Sequence, residues 1–168
     1  GHEKFYENKF SYKKNINEVI DVPYGDLIVV DVCLNNKMID DLKVVRKQKF
    51  ITDNYGYRNS TIDLIDSNLI LVGDSQVSGS SLSDEYLISN QINKISNFKA
   101  SNLSIGGAGP KDYEEILKKN FSKIKKDTKI LIFYFEGNEF KAKKESKNLK
   151  EDKFKILIKS GYQRLERN

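Results

Sequence analysis

Three apolar runs in this sequence end in residues that can do chemistry. In NLILVGDSQVSG (Asn68–Gly79) an apolar stretch stops at Gly73-Asp74-Ser75; in NLSIGGAGP (Asn102–Pro110) a second stops at a glycine pair; in FYFEGNEF (Phe133–Phe140) a third stops at Gly137-Asn138. A serine hydroxyl becomes a nucleophile once a base removes its proton. A glycine N–H, open to close approach, and an asparagine amide are donors of the kind that hold a developing oxyanion. Ser75 is therefore the candidate nucleophile. Its own N–H, the N–H of Gly107 and the side chain of Asn138 are the candidate donors. Each pattern has a plain structural alternative: a turn at Gly-Asp-Ser, a strand-to-helix loop at Gly-Gly, a helix start at Gly-Asn. Their recurrence at the ends of successive runs favours the chemical reading.

The base for such a serine is hard to find. The sequence contains a single histidine, His2, beside Gly1, and the pair reads as a remnant of cloning. Lys111, Asp112 and Glu139 lie near the proposed rim in sequence, but no spacing argues a base geometry for any of them. Cys33 is the only cysteine, so neither an intrachain disulfide nor a Cys/His zinc cluster is expected. Within DLIVVDVCL it reads as a small buried hydrophobe.

The net charge of +5 comes with lysines scattered along the chain and a local excess over Lys141–Lys159. Neither a recognition-helix pattern nor an aromatic-basic RNA motif accompanies it, so a nucleic-acid partner is not expected. GGAGP lacks both the Gly-x-Gly-x-x-Gly spacing and the Lys-Ser/Thr of a phosphate loop, which argues against a nucleotide site. No run reaches the ~18 apolar residues of a membrane span, and no secretory leader is legible.

The elements that must position these residues are readable. With 168 residues the chain suits one domain with a real core. Residues 3–21 are polar and aromatic without a clear period. GDLIVVDVCL (Gly25–Leu34) reads as a strand, NNK as a turn, and the stretch around Lys43–Phe50 as a second strand, together an antiparallel hairpin. TDNYGYRNS (Thr52–Ser60) is a loop, in which Tyr55, Tyr57 and Arg58 either face a ligand or pin the loop to the core. From Asn68 the pattern alternates. NLILVG is a strand; Ser83–Ser96 is a helix with Leu87, Ile88, Ile92 and Ile95 on one face and Ser83 as N-cap. Ala100–Ile105 is a second strand. Pro110 opens a second helix carrying Tyr113, Ile116, Leu117, Phe121 and Ile124. Thr128–Gly137 is a third strand, and 138–168 is Lys/Glu-rich and helical, with a break near Gly161. Such a βαβαβ unit predicts parallel strands with right-handed crossovers, whose carboxyl ends share one rim where ligands bind.

The three blocks LVGDSQVSG, NLSIGGAGP and FYFEGNEF, in this order, resemble the SGNH (GDSL-type) hydrolases over roughly residues 52–140. The resemblance implies a three-layer, flavodoxin-like α/β fold with a parallel sheet, here with an N-terminal antiparallel β-hairpin extension. Residues 1–60 would form that extension and the loop, and 61–168 the hydrolase-like domain. It implies Ser75 as nucleophile, Gly107 (five residues after Asn102) as backbone oxyanion donor and Asn138 as side-chain donor, with neither cofactor nor metal. TDNYGYRNS is similar to a Tyr/Phe-Arg-Asn segment that precedes the serine block in bacterial envelope members. That similarity implies a periplasmic or extracytoplasmic setting and a small-molecule or carbohydrate ester, acetyl esters among them, as substrate of an esterase or O-acyltransferase. Two departures stand out. Gly137-Asn138-Glu139 replaces the family's Gly-Asn-Asp, and the family's C-terminal Asp-x-x-His is missing. The fold is accordingly expected to be C-terminally incomplete in these residues, with the base supplied from a part beyond them. The alternative is a non-catalytic member that binds glycan or acyl groups on the same rim.

Overall fold

The computed structural model describes residues 2–22 and 46–134. The strand expected at 25–34, Cys33, Asn138 and the C-terminal helix lie outside the described residues.

The alternating part of the sequence folds as an α/β unit around one short strand. β5 (Leu69–Val72) is flanked on one side by β6 (Ala100–Asn102) and on the other by β7 (Lys129–Ile132), both parallel to it. The order is β6-β5-β7, so the first strand of the unit is central and the chain moves to opposite sides of it in turn. Central position explains the unbroken apolar run. Ile70, Leu71 and Val72 are all buried, as a parallel strand covered on both faces requires. Ile70 and Val72 join a core with Leu103, Ile105, Tyr113 and Ile116, while Leu71, Val77 and Leu87 are buried outside that cluster. Side chains alternate across a strand, so this division marks its two faces.

The outer edge of β6 is closed by side chains rather than by a strand. The Asn93 amide donates to the Ala100 carbonyl at 3.0 Å and accepts its N–H at 2.6 Å. Two residues on, Asn59 repeats this with Asn102, at 3.2 and 2.7 Å. A primary amide carries a donor and an acceptor spaced like a peptide group. Two of them therefore satisfy an edge that would otherwise recruit another chain.

The crossover elements are shorter and more polar than the sequence suggests. A single helix over Ser83–Ser96 is not found. After a first short helix, α1 (Ser75–Ser78), a 3-10 turn, Asp84–Tyr86, is followed by α2 (Ile88–Ile95), which leads into β6. Ser83 does not cap through its side chain. Its Oγ accepts the Lys49 N–H and donates to the Lys47 carbonyl instead. Ile95 is 81% exposed, and the buried positions of α2 are Ser89 and Asn90. Asn90 is held there by Asp84, Ser60 and Thr61. In α3 (Pro110–Asn120), Pro110, Tyr113, Ile116 and Leu117 behave as read, but Phe121 is 77% exposed. Its expected place is taken by buried Asn120, which donates to the Tyr57 hydroxyl at 2.8 Å. Helical spacing alone cannot distinguish an apolar face from one completed by a hydrogen-bonded amide.

The N-terminal part is antiparallel, with different pairing from that expected. β1 (Tyr6–Asn8) pairs with β2 (Ser11–Tyr12). β4 (Arg46–Ile51) is present where a strand was read, but its partner is β3 (Asn17–Val22), in register from Asn17↔Ile51 to Val22↔Arg46. β3 escapes sequence reading because only Val22 is buried along it. Phe5, Tyr12 and Phe50 carry these strands into the common core. Phe5 stacks on Phe50 at 4.6 Å between ring centres, and Tyr12 meets Phe50 edge-on at 5.3 Å.

Buried Tyr57 joins the two parts, donating to the Phe10 carbonyl at 3.1 Å and accepting from Asn120. Burial, helped by Asp53 and partly offset by the Asn120 amide, pushes its phenol up to about 12. A folded-state value above the ordinary value of about 10 means stability is held below pH ~10 and lost as pH rises through ~12, by roughly 2–3 kcal/mol. In urea titrations across that window, Tyr57→Phe is expected to show a smaller alkaline loss, after costing about 1 kcal/mol near neutrality.

Candidate active site

Ser75 opens α1 (Ser75–Ser78), a four-residue helix immediately after β5. The tight passage from strand to helix depends on glycine: a Cβ on Gly73 would stand 2.5 Å from Val77 Cγ2. Asp74 is the N-cap, its carboxylate accepting the Gln76 N–H at 2.9 Å. Gly79, at φ +67°, ends the helix in the left-handed conformation, and the Ser80 N–H returns to the Ser75 carbonyl at 3.1 Å. The result is a half-exposed Ser75. Among the described residues neither its hydroxyl nor its N–H has a hydrogen-bond partner.

Gly107 follows β6, the neighbour of β5. It sits at φ +79°, a conformation that glycine adopts without strain. Nothing lies within 4 Å of where a Cβ would stand, the residue is exposed, and its N–H is likewise unbonded among the described residues. The preceding Gly106 faces the end of α1: a Cβ on it would lie 3.4 Å from Ser80 Oγ. Two of the three sequence candidates, Ser75 and Gly107, thus sit beyond the carboxyl ends of adjacent parallel strands. Each carries an N–H with no partner among the described residues. Asn138 lies outside the described residues.

The helix bearing Ser75 is fastened from three sides by residues whose role the sequence does not reveal. Asn102, fully buried, donates to the Val77 carbonyl at 2.9 Å. Gln48, from β4, donates to the carbonyls of Ser80 and Leu82 at 3.1 and 2.8 Å. Arg58 is the largest fully buried side chain. Its guanidinium donates to the carbonyls of Ser78 and Gly79 at 3.2 and 2.5 Å, of Leu82 at 2.9 Å and of Lys49 at 3.3 Å. It also lies 4.5 Å over the Phe50 ring. Burial pulls its pKa down to about 10, with Asp84 acting in the opposite sense, so the group stays charged at neutral pH. The segment TDNYGYRNS is therefore structural at Tyr57 and Arg58, which face the interior. Tyr55 is half-buried, beneath the Lys123 ammonium at 4.8 Å. Asp53 organises the same loop, accepting the N–H groups of Tyr55 and Tyr57 and the Asn59 amide; its carboxyl is raised by burial, less what these bonds return.

Of the substitute bases, Asp112 is occupied elsewhere. It pairs with Lys9 at 2.6 Å and accepts the Gly109 N–H at 3.0 Å at the start of α3. Lys111 is exposed, and Glu139 lies outside the described residues. Among the described residues no group of three or more His, Cys, Asp or Glu side chains gathers to hold a metal, and no helix is long and apolar enough to cross a membrane. A separate polar cavity of about 400 Å³ is lined by Asn15, Asp53, Asn54, Asn59, Ser60, Thr61, Ile62 and Asp63.

A parallel α/β sheet whose first strand delivers a serine to its carboxyl rim defines the general class of this site. No protein-family model, curated protein or solved structure matches the chain.

Replacing Arg58 tests the scaffold. Arg58→Met takes from the Ser78 carbonyl its donor and from Gly79 and Leu82 one of two; it is expected to cost about 2–4 kcal/mol in urea unfolding, while Arg58→Lys, lacking the planar fork, recovers only part.

Proposed function

We propose that the chain carries the nucleophile and oxyanion donors of an SGNH-type serine esterase or O-acyltransferase acting on acyl esters, acetylated carbohydrate among them. The observation that supports it is that half-exposed Ser75 and exposed Gly107 follow neighbouring parallel strands, each with an N–H that has no partner among the described residues. In this reading Ser75 Oγ attacks the acyl carbonyl carbon. The carbonyl oxygen becomes an oxyanion held by the two N–H groups, with Asn138 the third donor that the resemblance assigns. Collapse expels the alcohol and leaves the acyl group on Ser75. Water then releases it as the acid, or a second hydroxyl takes it in transfer. The Ser75 proton passes to a histidine from outside these 168 residues and on to the leaving alcohol, because the only histidine in the sequence is His2. Donors and binding without a base still leave about 10³–10⁴ over water in triad enzymes, so a reactive ester and an external base make the chemistry visible.

A second reading is a binding module without turnover. It is favoured by the polar cavity beside Asp53 and Asn59, whose lining suits a hydroxylated ligand such as a glycan.

With 4-nitrophenyl acetate and added imidazole, the chain is expected to release nitrophenol above the imidazole blank and to show an acetyl adduct at Ser75 by mass spectrometry. Ser75→Ala is expected to fall to the blank. Equal release from that variant, with no adduct in the parent, sinks the esterase reading; glycan binding that survives Ser75→Ala then supports the second.

A further inference from the structure

The N-terminal hairpin makes a contact that packing alone does not require. β1 and β2 bring Tyr6 and Tyr12 together, rings 4.9 Å apart, against Gly106. The Tyr6 hydroxyl donates to the Gly106 carbonyl at 3.1 Å, and the Gly106 N–H donates to the Tyr12 hydroxyl at 3.3 Å. Both backbone groups of this one residue are held by phenols that lie 100 and 94 positions away in sequence.

The consequence follows from peptide geometry. The Gly106 carbonyl and the Gly107 N–H belong to the same planar, trans peptide unit, in which C=O and N–H point in opposite directions. Fixing the oxygen end fixes the direction of the hydrogen end. A hydrogen bond accepted by the carbonyl also polarises the N–H of that unit. Without these bonds the Gly106-Gly107 pair would be the least restrained stretch of the rim, since glycine has the widest choice of φ and ψ. A side chain on Gly106 would displace the clamp: a Cβ there would stand 2.6 Å from the Tyr6 hydroxyl oxygen.

We propose that Tyr6 is a positioning residue, which sets the direction of the Gly107 N–H through the Gly106–Gly107 peptide, and that Tyr12 supports it by anchoring the preceding Ile105–Gly106 peptide. Their role in turnover rests on the esterase reading above; their role in fixing the peptide does not. Burial and then the adjacent Tyr12 push the Tyr6 phenol well above the ordinary tyrosine range, so the donor keeps its proton into alkaline solution. The extension thereby acts on the rim from the far end of the described chain.

Tyr6→Phe removes the hydroxyl and keeps the ring. Residual dipolar couplings of the backbone amides, measured by NMR on the wild type and the variant, report the N–H directions without any reaction. The Gly107 coupling is expected to change while those of Leu71 and Ile116 stay fixed; an unchanged Gly107 coupling overturns the proposal. Acylation of Ser75 by 4-nitrophenyl acetate with imidazole is the second readout. Tyr6→Phe is expected to lower the saturated rate about tenfold with KM unchanged, a misaimed donor costing less than the ~10²–10³ of a lost one. An unchanged saturated rate overturns the role in turnover. If the wild type shows no Ser75-dependent acylation, the esterase reading falls, and the Gly107 coupling alone decides whether Tyr6 holds the peptide. Tyr12→Phe, which removes the acceptor for the Gly106 N–H, is expected to move the Gly106 coupling in a fold whose melting temperature shows it intact; an unchanged Gly106 coupling overturns its supporting role.

Discussion

A single buried cation holds the described part of this protein together. Arg58 reaches the carbonyls of Ser78, Gly79 and Leu82 at the end of the serine helix and that of Lys49 in the N-terminal sheet, and it lies over Phe50. Removing a guanidinium from water costs several kcal/mol, and only a dense set of well-placed acceptors offsets that cost. Here the acceptors are the carbonyls at the end of a four-residue helix and its following turn: Arg58 supplies the donor to Ser78, and shares Gly79 with the Leu82 N–H and Leu82 with the Gln48 amide. The arginine and the turn therefore satisfy one another. A lysine, with a compact head and no fork, cannot span the same set. Among the described residues Arg58 Nε is the one guanidinium nitrogen without a partner, so the site is built around the two terminal nitrogens.

Backbone groups satisfied by side chains recur throughout the structure. Asn93 and Asn59 close the edge of β6, Asn102 and Gln48 hold α1, and Tyr6 and Tyr12 grip Gly106. The reason lies in the length of the elements. Strands of three and four residues and a four-residue helix satisfy few of their own N–H and C=O groups. A buried group left unpaired costs about 1–3 kcal/mol, so asparagines, glutamine and tyrosines supply what longer ladders would. Among the described residues the N–H groups of half-exposed Ser75 and exposed Gly107 are left without a protein partner.

This economy also joins the two halves of the described chain. Phe50, in β4, touches Phe5, Tyr12 and Arg58, so the aromatic core under the antiparallel strands is continuous with the support of α1. Tyr12 belongs at once to that core and to the clamp on Gly106. The antiparallel part is thus no simple cover for a sheet edge. It shares its buried residues with the rim.

The sequence by itself determined the alternation of strand and helix from Asn68 to Ile132, the parallel sheet, and the placing of Ser75 and Gly107 after its strands. These are local properties: an unbroken apolar run, a proline opening a helix and glycines closing strands all act within a few residues. Asn59 and Asn102 were visible only as members of a loop and a strand, and Arg58 only as a loop cation, because what an amide or guanidinium bonds to depends on residues brought near by folding. Strand β3 was hidden because one buried side chain in six leaves no alternation to read. The ends of the helical faces failed for the same cause. Phe121 and Ile95 had the right spacing, yet Asn120 holds a buried position through a hydrogen bond to Tyr57, and Asn90 one through Asp84. Tertiary structure alone decided that Tyr6 and Tyr12 meet Gly106, across some hundred residues of chain, since hydrogen bonds between distant segments leave no period in a sequence.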